Sequence, residues 1–168
     1  MKLLDAQKIK QKTQRIAIEI LENNSNEEEI ILAGINNNGM AFAEMLLTAM
    51  SKVTIVEPKI IMTKISLNPV NPVSEQVTVG LPLADLKGKV VILVDDVANT
   101  GRTLQYAMKP MLDILPKKIQ LAVLVDRMHK SFPVAANYVG IALATTLKEH
   151  IDVQIRDIEP ALQAVYLN

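Results

Sequence analysis

Residues 90–103 read VVILVDDVANTGRT: five apolar residues run into two adjacent aspartates, Asp95 and Asp96, and then into a polar loop with Thr100 and Thr103 around Gly101. The stretch 89–95 has the unbroken, β-branched character of a strand buried on both faces, the mark of a parallel sheet. Neighbouring side chains on an extended chain point to opposite sides, so both carboxylates reach one ligand only if the chain begins to turn there. Each carboxylate can accept a charge-assisted hydrogen bond from one of two neighbouring sugar hydroxyls. The residues that follow offer backbone N–H groups in a turn, two threonine hydroxyls and the start of a helix, a nest suited to a phosphate. Together they describe a ribose 5-phosphate site. A polar loop that only caps a helix is the competing account of a lone acidic pair; the complete string after a buried strand favours the site.

Working outward, the segment 5–22 carries Ile9, Thr13, Ile16 and Ile20 at helical spacing, widened by Ala17 and Leu21, which predicts an amphipathic helix with one buried face. The polar cluster NNSN stops it. EIILAGI (29–35) reads as a strand and GMAFAEMLLTAM (39–50) as the helix after it. VTIVEPKIIMTKI (53–65) predicts one or two strands around Pro58, and 66–80, with two Asn-Pro pairs, a long functional loop. TLQYAMKPMLDIL (103–115) predicts a helix bent near Pro110, and KIQLAVLVD (118–126) another buried strand. The remainder, from Asn137 onward, reads as short strands forming a cap. Alternating strands and helices predict right-handed crossovers and an α/β fold: an open, mostly parallel sheet flanked by helices, with ligands beyond the carboxyl ends of its strands.

Composition agrees with one such domain over residues 1–168. Hydrophobic residues make up 49% of the chain and aromatic residues 3%, so the core is built from aliphatic side chains and Met. Lys plus Arg equal Asp plus Glu at 18 each, which removes a global field toward nucleic acid or an anionic membrane. No Cys is present, excluding disulfide and thiol chemistry and fitting a reducing, cytoplasmic setting. The opening residues lack the apolar stretch of a secretory signal, and no run reaches the ~20 residues of a membrane span. With six Gly and no G-x-G-x-x-G or P-loop spacing, dinucleotide and P-loop chemistry have no fingerprint.

The 90–103 string resembles the phosphoribosyl pyrophosphate (PRPP) signature of type I phosphoribosyltransferases. Segments QKTQRIAIEILENN, ILAGINNNGMAFAEML and LAVLVDRMHKSFPVAANYVG, in the same order, resemble the group of pyrimidine-operon regulators that are also uracil phosphoribosyltransferases. The resemblance implies transfer of the 5-phosphoribosyl group from PRPP to a nucleobase, uracil, with release of pyrophosphate. It implies that Asp95 and Asp96 hold the ribose hydroxyls, and that Val97, Ala98, Asn99, Thr100, Gly101, Arg102 and Thr103 surround the 5-phosphate. Gly34, Ile35, Asn36, Asn37, Asn38 and Gly39 form the turn that meets pyrophosphate, and Mg²⁺ is bound mainly through PRPP, without a metal site of the protein's own. Arg127 lies at the family's position beside the base and joins Asp95 and Asp96 as a catalytic candidate; a surface arginine past a strand is the plain alternative.

The sequence departs from the family where negative charge must accumulate. The turn usually carries basic residues and here holds Asn36, Asn37 and Asn38; the loop 66–80 has no Arg or Lys, and Lys64 is the nearest cation. The departure implies slowed catalysis, or a PRPP- or nucleotide-binding regulator of pyrimidine metabolism. Lys8, Lys12 and Arg15 on one helix face raise an RNA partner, although a solvated face beside Glu19 is the commoner origin of such a stripe. His129 reads as a rim residue, and Asp157 as a capping or solvated acid. A homodimer or higher homo-oligomer is expected from the apolar composition and from the family.

Overall fold

The computed structural model describes residues 1–53 and 58–168. In chain order the strands and helices are β1 (Lys2–Leu4), α1 (Ala6–Asn23), β2 (Glu29–Ile35), α2 (Asn36–Ser51), β3 (Lys59–Ser66), β4 (Thr78–Val79), β5 (Val90–Ala98), α3 (Arg102–Ala107), β6 (Lys118–Arg127), β7 (Tyr138–Leu143), β8 (Ile151–Gln154) and β9 (Ala164–Leu167). Six strands form a sheet in the order β4-β3-β2-β5-β6-β7, parallel except at the β4 edge. The α/β architecture read from the sequence is thus the one observed.

Alternation along the central strands divides the core in two. Ile30, Leu32, Val90, Ile92, Val94, Ala122 and Leu124 face one side, where Ile9, Ile16 and Ile20 of α1 and Phe42 and Leu46 of α2 pack on them. Ile31, Ala33, Val91, Leu93, Leu121 and Val123 face the other, against Leu104, Ala107 and Met111. Burial on both faces is why these strands read as continuous apolar runs.

Four local expectations change. β5 does not end at Asp95: its pairing with β6 continues through Val97↔Val125 and Ala98↔Asp126, because the backbone ladder is indifferent to side-chain polarity. α2 begins at Asn36 rather than Gly39, so the three asparagines form its first turn. The helix expected over 103–115 stops at Ala107; Pro110 sits in a separate 3-10 turn, Lys109–Asp113, where its missing N–H costs no hydrogen bond. Within the 66–80 loop, Thr78 and Val79 pair back onto Ser66 and Ile65.

The cap also differs. β7 joins the main sheet beside β6, and the separate antiparallel sheet is β1-β9-β8, which recruits the chain's first residues. Leu4, Ile151 and Val165 of this small sheet share the core cluster of α1 and α2. The early part of the expected strand pair, at 54–57, lies outside the described residues. Among the described residues, no helix is long and apolar enough to cross a membrane.

Candidate active site

One close backbone approach brings the signature and the β2–α2 turn together. A Cβ on Gly39 would lie 2.4 Å from the Val94 carbonyl oxygen, so only glycine lets α2 start against β5. Gly101 adopts φ 86°, in the left-handed region that glycine enters at little cost, and turns the chain from the signature loop into α3. α2 opens on Asn36 at φ 51°, a conformation that asparagine tolerates better than most residues.

Each asparagine of that turn has a different partner. Asn36 Oδ1 accepts from the backbone N–H of Leu67 at 3.0 Å, fixing the end of β3. Asn37 Oδ1 accepts from Lys64 Nζ at 2.6 Å. Asn38 Nδ2 donates to Asp96 Oδ2 at 3.2 Å, which ties the turn directly to the acidic pair. Within residues 34–39, Asn38 thus contacts Asp96 and Gly39 packs against the Val94 carbonyl.

The two aspartates are not equivalent. Asp95 is buried, and its Oδ1 accepts from the N–H of Asp96 at 2.9 Å; Asp96 is half-buried, and its Oδ1 accepts from the N–H of Val97 at 2.9 Å. Burial, and then the neighbouring Asp96 carboxylate, push the Asp95 carboxyl well above the usual carboxylate range. Because β5 stays extended, the pair splits to either side of the strand instead of turning together.

At the end of β5 and beyond it, residues Val97, Ala98, Asn99, Thr100, Gly101, Arg102 and Thr103, with Leu104, line a concavity of about 40 Å³. Among the described residues, no backbone carbonyl accepts from the N–H groups of Thr100, Gly101 or Thr103, which leaves donors for an anion. The loop itself is held from below, where Thr100 O accepts from Ser131 N at 2.9 Å and from Phe132 N at 3.1 Å. Arg102 reaches away from it and donates through Nη2 to Pro69 O at 2.8 Å, fastening the 66–80 loop to the signature. That loop is folded on itself: Asn68 Oδ1 accepts from Val70 N at 3.0 Å and from Asn71 N at 3.1 Å.

Arg127 is a buried residue rather than a surface one. Its side chain is buried and donates from Nε to Thr145 Oγ1 at 2.8 Å, from Nη1 to Asn99 Oδ1 at 3.1 Å, and from Nη2 to the carbonyls of Thr146 at 3.0 Å and Glu149 at 3.1 Å. It braces the signature loop against the segment leading into β8. Lys130 bonds Asp126 and the carbonyl oxygens of Arg127 and Ala98, and half-buried His129 sits beside it.

Asp157 is remote from this cluster. It pairs with Arg156 at 3.3 Å and lines an open groove of about 840 Å³ between α1, α2 and the 155–163 segment. On α1, Arg15 donates to the carbonyls of Val139 and Gly140 and pairs with Glu19 at 3.3 Å, so the basic stripe is reduced to Lys8 and Lys12. Lys64, Asn38 and Arg102 are the partners the sequence did not single out as contacts. Their pairings span 27, 58 and 33 residues, and no local pattern encodes them.

Among the described residues, no group of three or more His, Cys, Asp or Glu is arranged to hold a metal ion. Half-buried Asp96, on the side of β5 that meets Asn38, is the carboxylate that fits a divalent cation taking most of its oxygen ligands from a phosphorylated substrate.

Comparison with known proteins gives a consistent result. The phosphoribosyl transferase domain family model matches residues 1–157. A bifunctional protein PyrR of Pediococcus pentosaceus is 35% identical over 164 residues, covering 94% of this chain and 93% of the relative. One from Clostridium perfringens is 39% identical over 162 residues, covering 94% and 91%. The fold is shared with a hypoxanthine-guanine phosphoribosyltransferase of Bacillus anthracis at TM-score 0.77 and 20% identity, covering 99% of this chain and 96% of that one. It is shared as well with the hypoxanthine phosphoribosyltransferase of Trypanosoma cruzi at TM-score 0.76 and 17% identity, covering 99% and 95%.

Proposed function

The chain belongs to the phosphoribosyl transferase domain family, and from that premise we propose that it transfers the 5-phosphoribosyl group of PRPP to uracil with release of pyrophosphate. It is a phosphoribosyltransferase, and the segments that resemble uracil-using members support uracil as the base. The observation that carries the site is the Asn38 to Asp96 contact, which holds the turn and the acidic pair against one another.

In this reading the loop from Val97 to Thr103 receives the 5-phosphate on its open N–H groups. Asp96, the more exposed acid, accepts from the ribose hydroxyls, and buried Asp95 backs it. The β2–α2 turn faces the pyrophosphate. When bound, Mg²⁺ supplies charge stabilisation to the pyrophosphate oxygens, with Asp95 and Asp96 as the protein's nearest carboxylates. The protein's own contribution is positioning and preorganised donors around an oxocarbenium-like anomeric carbon. Arg127 acts here as a brace, holding Asn99 and the 145–149 segment in one geometry.

A second reading, a PRPP- or nucleotide-binding regulator of pyrimidine metabolism, draws on the uncharged asparagines of the turn. An RNA partner belongs to that reading and would use Lys8 and Lys12; self-association would use exposed apolar side chains such as Leu112 and Leu115.

Pyrophosphate release from PRPP with Mg²⁺, measured across uracil, hypoxanthine, guanine, adenine and orotate, tests the proposal. Release with uracil alone is expected. Release with a purine alone would reject the base assignment, and release with no base by folded protein would favour the regulator.

A further inference from the structure

Catalysis of this reaction requires a cation where pyrophosphate leaves, and the turn itself carries none. We infer that Lys64, on the neighbouring strand, supplies that charge, with Asn37 as the residue that positions it; the inference rests on the transferase reading above.

Strand pairing delivers the lysine to the turn. In the parallel register of β2 and β3, Lys64 stands opposite Gly34, the residue at which the turn begins. Its ammonium reaches over the turn to Asn37 Oδ1 at 2.6 Å. An ammonium has three N–H donors, so one bond to a neutral amide leaves two for phosphate oxygens.

Of the other cations around the site, Arg127 is taken up by Asn99, Thr145, Thr146 and Glu149, Lys130 is paired with Asp126, and Arg102 is drawn toward the 66–80 loop through Pro69 O. Lys64 is half-buried and, among the described residues, has no carboxylate partner. Its partner is an amide, which orients the charge without neutralising it.

In the transfer, the bond from a base nitrogen to the anomeric carbon forms as the bond from that carbon to the pyrophosphate oxygen breaks. The electron pair of the broken bond leaves on pyrophosphate, and the base gives up its nitrogen-bound proton to solvent. Charge therefore grows on the group that Lys64 faces, which makes the ammonium more valuable in the transition state than before it.

The test is calorimetric binding of PRPP, pyrophosphate and uridine 5′-monophosphate, each with Mg²⁺, to the full chain and to Lys64→Met, Lys64→Arg and Asn37→Ala. Lys64→Met is expected to weaken PRPP and pyrophosphate by about 10- to 100-fold, the worth of a charge-assisted hydrogen bond. Binding of the monophosphate, which lacks the leaving group, should stay within about twofold, and this also shows that the variant is folded. Lys64→Arg should recover most of the loss, and Asn37→Ala should fall between wild type and Lys64→Met. Wild-type binding of PRPP that Lys64→Met leaves unchanged would overturn the inference while leaving the transferase reading intact. A wild-type protein that bound neither PRPP nor the monophosphate would instead reject the transferase reading, and the inference with it.

Discussion

Asn38 Nδ2 and Asp96 Oδ2 stand 3.2 Å apart, a contact across 58 residues that locks the start of α2 to the end of β5. The bond is partly exposed, so its loss should cost the fold little, about 1 kcal/mol or less. Its effect on the ligand should be larger, because it orients Asp96, the acid proposed to meet the ribose. Asn38→Ala is expected to raise KM for PRPP by roughly 3- to 10-fold while lowering the melting temperature by no more than about 2–4 °C. Steady-state kinetics alongside thermal denaturation separate the two effects.

Gly39 is expected to tolerate no side chain. A methyl group there would sit 2.4 Å from the Val94 carbonyl oxygen, which belongs to the central strand and cannot rotate aside. Gly39→Ala should destabilise the protein by about 1–3 kcal/mol, the usual cost of overpacking. Denaturant unfolding would measure it, and an unchanged midpoint would show that α2 and β5 do not meet at this distance.

Asp95 should make stability depend on pH in an unusual direction. Its carboxyl is raised by burial and by Asp96, so the folded state binds its proton more tightly than the unfolded state does. Stability should therefore fall as pH rises from the ordinary carboxylate range, about 4, through the raised value. Asp95→Asn keeps an acceptor for the Asp96 N–H while removing the charge. The variant should melt higher at neutral pH and show a flatter stability profile between pH 4 and 8 than wild type, roughly 2–4 °C for each kcal/mol recovered. Melting curves across that pH range check the sign; a variant with the wild-type slope would mean Asp95 is not its source.

Arg127 should act through structure more than through direct contact with a base. Four donated hydrogen bonds join Asn99 to Thr145, Thr146 and Glu149, and a lysine cannot reproduce that fork. Arg127→Lys is expected to lower stability by about 2–4 kcal/mol and to weaken PRPP and base together. Calorimetry that found only the base weakened, with the melting temperature intact, would return Arg127 to the role of a base contact.

How much of this was legible follows from how each feature is encoded. The strands at 29–35, 89–95 and 118–126 announced themselves because burial on both faces fills their middles, 30–33, 90–94 and 121–125, with apolar residues alone. The stripe Ile9, Thr13, Ile16 and Ile20 was equally readable, since helical spacing is local, and all of these side chains are buried. Gly101 and the loop around it were readable as chemistry before they were readable as geometry. The end of β5 was not: polar Asp95 and Asp96 look like a turn, but the backbone ladder to β6 decides where the strand stops. Nor could sequence show that Arg127 already donates four hydrogen bonds, because its acceptors include main-chain carbonyls 19 and 22 residues away. β7 was misread for the same reason, since membership of a sheet is a long-range choice that a short apolar run does not specify.

The most direct test of the central claim, that the end of β5 holds the ribose and phosphate of PRPP, is calorimetric binding of PRPP with Mg²⁺ to wild type and to the Asp95→Asn, Asp96→Asn double variant. The account predicts saturable one-to-one binding by wild type and a loss of at least about tenfold in the double variant, with the fold retained. A double variant that bound PRPP as tightly as wild type would contradict it.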